Sequence, residues 1–237
     1  MGAAGVSPDA VVGHSQGEIA AAVVSGALSL EDGARVVSLR SKALKALSGR
    51  GGMLSIAEPV SVVEARCSSV IMDFSPGDHE GPLGVAAVNG PSATVVSGDP
   101  ALLKVLAERV EADGGRARML PVDYASHGPQ VDELQAEILG LLSEVRPQQA
   151  RIPMVSALTG EYLTGTELTA QYWYDSLRGR VEFSRAIEVL AQDGYGVFIE
   201  SSAHPVLTAP VADVLESLDV EAVVSGTLRR DEGGAAR

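Results

Sequence analysis

Residues 10–12 form a short apolar run, Ala10-Val11-Val12, that breaks at Gly13. A run this short, bounded by glycine, predicts a buried strand entering a sharp turn. After the turn Ile19, Ala20, Val23 and Val24 recur at helical spacing, which predicts a helix over 16–25 stopped by Gly26. Ser29 with Asp32 three residues on reads as the capped start of a second helix. Its apolar positions Ala34, Val37, Leu44 and Leu47 end near Gly49.

The next segment changes period repeatedly. Strand-like residues 53–57 precede a helix over 60–68. Two strands, 83–89 and 94–97, flank the turn signal Asn89-Gly90-Pro91. A helix over 100–112 turns Leu102, Leu103, Leu106 and Val110 inward, and a strand over 117–121 closes the unit. The order strand, helix, strand, strand, helix, strand is the ferredoxin-like split βαβ arrangement. The pattern therefore predicts a small domain over 52–121, inserted into a larger α/β domain made of 1–51 and 122–228.

Helix and strand then alternate. Val131, Leu134, Ile138 and Leu141 mark a helix, 154–157 a strand, and Thr159-Gly160 a turn. Residues 172–177 and 182–192 read as helices and 197–200 as a strand. A helix over 206–218 has Pro210 in or near its first turn, and Val223-Val224 is a last strand. Residues 229–237, rich in Gly, Ala and charge, read as a linker. The strand at 10–12 stands so near residue 1 that half of an α/β sheet is unaccounted for, so the natural domain is expected to begin earlier.

Composition narrows the function. With 46% hydrophobic residues and 4% aromatics, the core is built from Ala, Val and Leu. A formal charge of −13 argues against nucleic-acid binding, which needs a basic face for phosphates. Cys67 is the one cysteine, which excludes an internal disulfide and argues against a cysteine-held zinc; it reads as a small buried hydrophobe. The first residues lack a secretory pattern and no apolar run is long enough to span a bilayer, so a cytoplasmic protein with no membrane partner is expected.

Gly13-His14-Ser15-Gln16-Gly17 is a G-x-S-x-G pattern between a strand and a helix. In that context the serine sits on a tight turn with its hydroxyl clear of the backbone. The amide of Gln16, at the helix start, points at a developing oxyanion. The serine needs a base. His14 lies inside the turn, its side chain expected to point away from the hydroxyl. His79 lies in a polar loop and reads as solvated. His127, where the chain leaves the small domain, and His204 in Ser201-Ser202-Ala203-His204-Pro205 remain rival bases. Arg40, beside Val36, Val37 and Leu44, is either a surface arginine on an apolar stripe or a fork for a carboxylate.

Five segments together resemble the acyltransferase domains of type I modular polyketide synthases. They are Gly13 to Ala22, Val37 to Leu44, Tyr124-Ala125-Ser126-His127, Tyr172-Trp173-Tyr174 with Leu177-Arg178 and Val181-Glu182-Phe183, and Glu200 to Leu207. Gly226-Thr227-Leu228-Arg229-Arg230-Asp231 matches the family's domain end. The resemblance implies an α/β-hydrolase-like large domain with an inserted ferredoxin-like small domain, the malonyl-CoA:ACP transacylase-like fold. It implies Ser15 as nucleophile, His127 as base, Gln16 as an oxyanion-hole donor and Arg40 as the clamp for a malonyl-type carboxylate. Tyr124, Ser126, His14 and His204 would shape the substrate pocket. No metal or organic cofactor is implied; coenzyme A enters as part of the donor. The implied partners are methylmalonyl-CoA, an acyl carrier protein, and the neighbouring ketosynthase and linker regions.

Tyr124-Ala125-Ser126-His127 is similar to the signature of methylmalonyl-selective members, and Gln16 is the commoner residue there. A serine in place of phenylalanine leaves room for the C2 methyl group. Malonyl- and ethylmalonyl-selective enzymes, an inactive structural fragment, and a serine esterase or thioesterase are the alternatives. A neutral-ester hydrolase would need a triad acid and has no use for Arg40. The family's Phe-Pro-Gly-Gln-Gly block, source of the second oxyanion-hole amide, is absent, so a weak or inactive enzyme is expected. Ser176 stands where the family usually has asparagine.

Overall fold

The computed structural model describes residues 5–74 and 82–231. His79, expected in a solvated loop, lies outside the described residues, as do residues 1–4 of the lead and 232–237 of the expected linker.

Strand β1 (Val11–Val12) pairs in parallel with β6 (Met154–Val155), whose other edge takes β7 (Tyr162–Leu163) antiparallel. Successive side chains of a strand face opposite sides, and this determines the layers. Met154 and Val11 face a core of Ile19, Ala22, Val36, Ile138 and Trp173. That core is covered by helices α1 (Gly17–Ser25), α2 (Leu30–Leu44), α5 (Gln135–Leu141) and α6 (Ala170–Arg178). Val155 and Val12 face a second core with Ala157, Phe183, Ile187 and Val214, under α7 (Phe183–Gln192) and α8 (Thr208–Ser217). Strands β8 (Val197–Glu200) and β9 (Val223–Gly226) form a separate parallel pair. Gly33 lets α1 and α2 close: a Cβ there would stand 2.3 Å from Val23 Cγ2.

Between these parts lie β2 (Gly52–Ile56), α3 (Val60–Phe74), β3 (Leu83–Gly90), β4 (Ala93–Gly98), α4 (Pro100–Ala112) and β5 (Ala117–Met119). The sheet order is β3-β4-β2-β5, antiparallel throughout, as a ferredoxin-like unit requires. Leu54 and Ile56 alternate inward to meet Val63, Cys67, Leu103, Leu106 and Val110. Asp99 caps α4 by accepting the N–H groups of Ala101 and Leu102 at 2.8 and 3.1 Å, with Pro100 in the first turn. The unit is tied back to the rest by β3: Val88 N–H donates to Val181 O at 2.8 Å, and Val181 N–H to Ala86 O at 2.9 Å.

Several boundaries differ from expectation. Helix α3 runs to Phe74, past residue 68, because Val63, Cys67 and Val70 continue one buried stripe and Ser68 turns its hydroxyl back to Glu64 O. The helix expected from Val131 opens as a tight 3-10 turn, Pro129–Leu134, before α5. Strand β7 was not expected: it has two residues, one of them exposed, and owes its existence to pairing with β6. Among the described residues no helix is long and apolar enough to cross a membrane.

Candidate active site

The turn after β1 is built by its own backbone. Gly17 N–H donates to His14 O at 2.9 Å, Glu18 N–H to Ser15 O at 3.0 Å and Ile19 N–H to Gln16 O at 3.2 Å. The amide of Gln16 takes no part in these bonds and stands at the N-terminus of α1. Ser15 is held at φ 51, a left-handed conformation that residues with a side chain rarely adopt. Gly13 is required by contact: a Cβ there would lie 2.3 Å from the backbone of Glu18. Gly17 is not, since a Cβ there would meet nothing within 4 Å.

Ser15 Oγ lies 2.7 Å from His127 Nε2. His127, also left-handed at φ 58, is buried at 5% exposure. Its Nδ1–H donates to Gly179 O at 2.9 Å, and its backbone N–H donates to Leu177 O at 2.9 Å. The first bond sets the tautomer, leaving Nε2 as the acceptor that faces the serine hydroxyl. Burial brings the His127 pKa down to about 4, so the ring is neutral at pH 7. A neutral imidazole with a free lone pair on a serine hydroxyl is a general base in position.

Arg40 comes from the buried face of α2, which also presents Gly33, Val36 and Ala43. It is 4% exposed, and its Nη1 has no hydrogen-bond partner among the described residues. Burial lowers its pKa to about 10, partly offset by Glu18 and Tyr124, so it stays cationic at neutral pH. A buried guanidinium with a free N–H is a costly arrangement, and a carboxylate would satisfy it.

Other expected site residues are distributed unevenly. His14 turns from the serine and donates from Nε2 to Asn89 Oδ1 at 2.7 Å, with its ring edge-on to Phe183 at 5.4 Å. Ser126 is buried next to His127, its hydroxyl 3.7 Å from Met53 Sδ. Tyr124 packs half-buried on the first core. His204 is exposed and accepts the Arg230 N–H at 3.3 Å; among the described residues no hydrogen bond joins it to Ser15, His127 or Arg40.

Sequence reasoning missed the support behind the turn. Glu18 is 1% exposed. Its Oε1 accepts Ala157 N–H at 2.9 Å and Tyr172 O–H at 2.7 Å, and its Oε2 accepts Ser176 O–H at 3.1 Å. The signal was present: Glu18 heads the stripe Glu18, Ala21, Ala22, Ser25 that α1 buries. The hydroxyl of Ser176 thus has a role, donating to this carboxylate. Asn89 and the Gly179 carbonyl were also missed, since no local pattern announces a partner 75 or 52 residues away.

The family model described as "Acyl transferase domain" matches residues 1–237. The polyketide synthase GfsE of Streptomyces halstedii is 50% identical over 233 residues, which is 98% of this chain and 6% of that protein. The chain therefore spans a small fraction of the curated relatives it matches. Among solved structures, the acyltransferase domain from module 8 of the salinomycin polyketide synthase is 54% identical with a TM-score of 0.93, over 99% of this chain and 53% of that one. A loading acyltransferase from the avermectin modular polyketide synthase is 40% identical, also with a TM-score of 0.93, over 99% of this chain and 71% of that one. The expected transacylase-like fold is the fold of these neighbours, and the chain belongs to the acyl transferase domain family of type I modular polyketide synthases.

Proposed function

We propose that this chain moves a methylmalonyl extender unit from coenzyme A, through an ester on Ser15, to the phosphopantetheine thiol of an acyl carrier protein. The observation that carries the reading is the 2.7 Å contact of Ser15 Oγ with a His127 ring whose other nitrogen is engaged. In the first half-reaction His127 Nε2 takes the Ser15 proton as the oxygen attacks the thioester carbonyl. The oxyanion draws the amide of Gln16. Collapse breaks the C–S bond, and His127 returns its proton to the departing coenzyme A thiolate. In the second, the carrier thiol gives its proton to His127, attacks the ester, and releases the Ser15 oxygen, which recovers the proton.

Arg40 is the clamp for the free carboxylate of the acyl unit, a role supported by its buried, unpartnered Nη1. The methylmalonyl preference rests on the small Ser126 beside the base and on Tyr124; a methyl group discriminates by only about 1–3 kcal/mol. His14 and His204 are assigned to the wider pocket, and the ketosynthase and linker regions of a synthase are the expected neighbours. We divide the chain into a large domain, 1–51 and 122–228, and a small one, 52–121.

Intact-mass measurement after incubation with methylmalonyl-CoA or malonyl-CoA, with Ser15→Ala as control, tests this reading. A Ser15-dependent adduct, stronger from methylmalonyl-CoA, is expected. Equal or greater loading by malonyl-CoA would overturn the substrate preference, and an adduct that survives Ser15→Ala would overturn the nucleophile.

A further inference from the structure

Among the described residues the carboxylate of Glu18 is buried with no lysine or arginine in hydrogen-bond contact, and its three donors are one backbone N–H and two hydroxyls. Burial pushes its pKa up, and the Tyr172, Ala157 and Ser176 donors pull it back. All three donors point inward, an arrangement suited to a carboxylate that accepts only. Tyr172 is held in turn: Ser156 Oγ is 2.6 Å from its hydroxyl and also accepts the N–H groups of Leu158 and Thr159. The nearby Arg40 attracts it through space without a hydrogen bond, and a buried ion pair adds little stability over well-packed apolar residues, so its presence calls for another explanation.

The two ends of the network supply one. Glu18 stands in the first turn of α1, three residues after Ser15, and its N–H is bonded to Ser15 O. Ser176 stands in the last turn of α6, directly before the residues that orient the base. The carbonyl of Leu177 accepts the His127 N–H, and that of Gly179 accepts Nδ1–H. A closed circuit runs from Ser15 through Glu18 and Ser176 to Gly179, then across His127 back to Ser15.

We propose that Glu18 is a positioning residue for the transfer reaction, tying the helix of the nucleophile to the segment that orients the base and so setting their separation. The proposal rests on the reading of Ser15 and His127 as nucleophile and base. Glu18 touches neither the substrate nor the reacting atoms. It acts through Ser176 and the first turn of α1.

Glu18→Gln and Tyr172→Phe in the full chain test it with two readouts. One is the maximal rate of Ser15 acylation against thioester concentration. The other is the NMR signature of the His127 Nδ1–H in protein labelled with nitrogen-15 histidine. For Glu18→Gln the maximal rate should fall about 10- to 100-fold, as misplaced reacting groups do, with the half-saturating thioester concentration unchanged. The Nδ1–H signal should shift or broaden. Tyr172→Phe should do the same to a smaller degree, and Glu18→Asp should recover part of the rate. A melting point lowered by Glu18→Gln, with rate and ring signal as in the parent chain, would overturn the proposal and leave Glu18 a structural residue. If Glu18→Gln does not fold, Tyr172→Phe and Ser176→Ala decide it on the same readouts. Should the parent chain fail to acylate while its ring signal still responds to Glu18→Gln, positioning stands and the transfer reading fails.

Discussion

The inserted unit and the region behind Ser15 both contain charged side chains, and they use them in opposite ways. In the inserted unit, Arg66 grips Glu58 with two N–H groups at 2.7 and 2.9 Å and reaches Asp113 at 2.6 Å, at the rim of a largely apolar core. These pairs lie within water's reach and contribute little to stability. Behind Ser15, Glu18, Arg40 and His127 are each 5% exposed or less. Arg40 has a free N–H and His127 is held neutral by burial. Paired charge at a rim leaves folding to the apolar core. Behind Ser15 the Arg40 charge is buried and left incompletely satisfied, as the proposed clamp for an incoming carboxylate requires.

Three measurements break or sharpen that contrast. Arg40→Ala should reduce loading from a malonyl-type thioester by on the order of 10²-fold, as loss of one partner of a buried charge pair does. Loading from a neutral acyl thioester should change far less, and equal losses for both would remove the clamp from the picture. In the inserted unit, Leu103→Ala should cost about 2–5 kcal/mol of unfolding free energy in urea, the range for a fully buried leucine. An effect under about 1 kcal/mol would mean that this core is not where stability resides.

The third measurement is pH. His127 titrates at about 4 in the folded chain against an ordinary value of 6.5. The unfolded chain therefore binds this proton first, so the contribution of neutral His127 to stability is fully present above 6.5 and is lost as pH falls toward 4. Ser15 acylation should stay level from neutral pH down to about 5 and drop as 4 is approached. A midpoint near 6.5 would mean that the ring is open to solvent.

Local signals carried far in this chain. Ser29 and Asp32 form the cap that their spacing announces, with Ser29 Oγ accepting Asp32 N–H at 3.0 Å. The hairpin turns where Asn89-Gly90-Pro91 stands, and the strand order of the inserted unit follows from its alternating periods. What could not be read depends on partners distant in sequence. His127 and His204 are equally plausible bases until folding puts one of them 2.7 Å from Ser15 and leaves the other at the surface. Strand β7 exists through β6, and the Glu18 network joins residues 139 to 158 positions apart. No pattern within a helix's length encodes such contacts.

Ser15 and His127 are two of the four non-glycine residues at positive φ among the described residues. Glycine would sit at either position with less strain. Selection for thermal tolerance alone would therefore drift toward glycine at 15 and 127 and would arrive at a sturdier protein with nothing to react. Selection for folding and selection for chemistry pull in opposite directions at these two positions, so a library sorted first for stability and then for loading should show the conflict there.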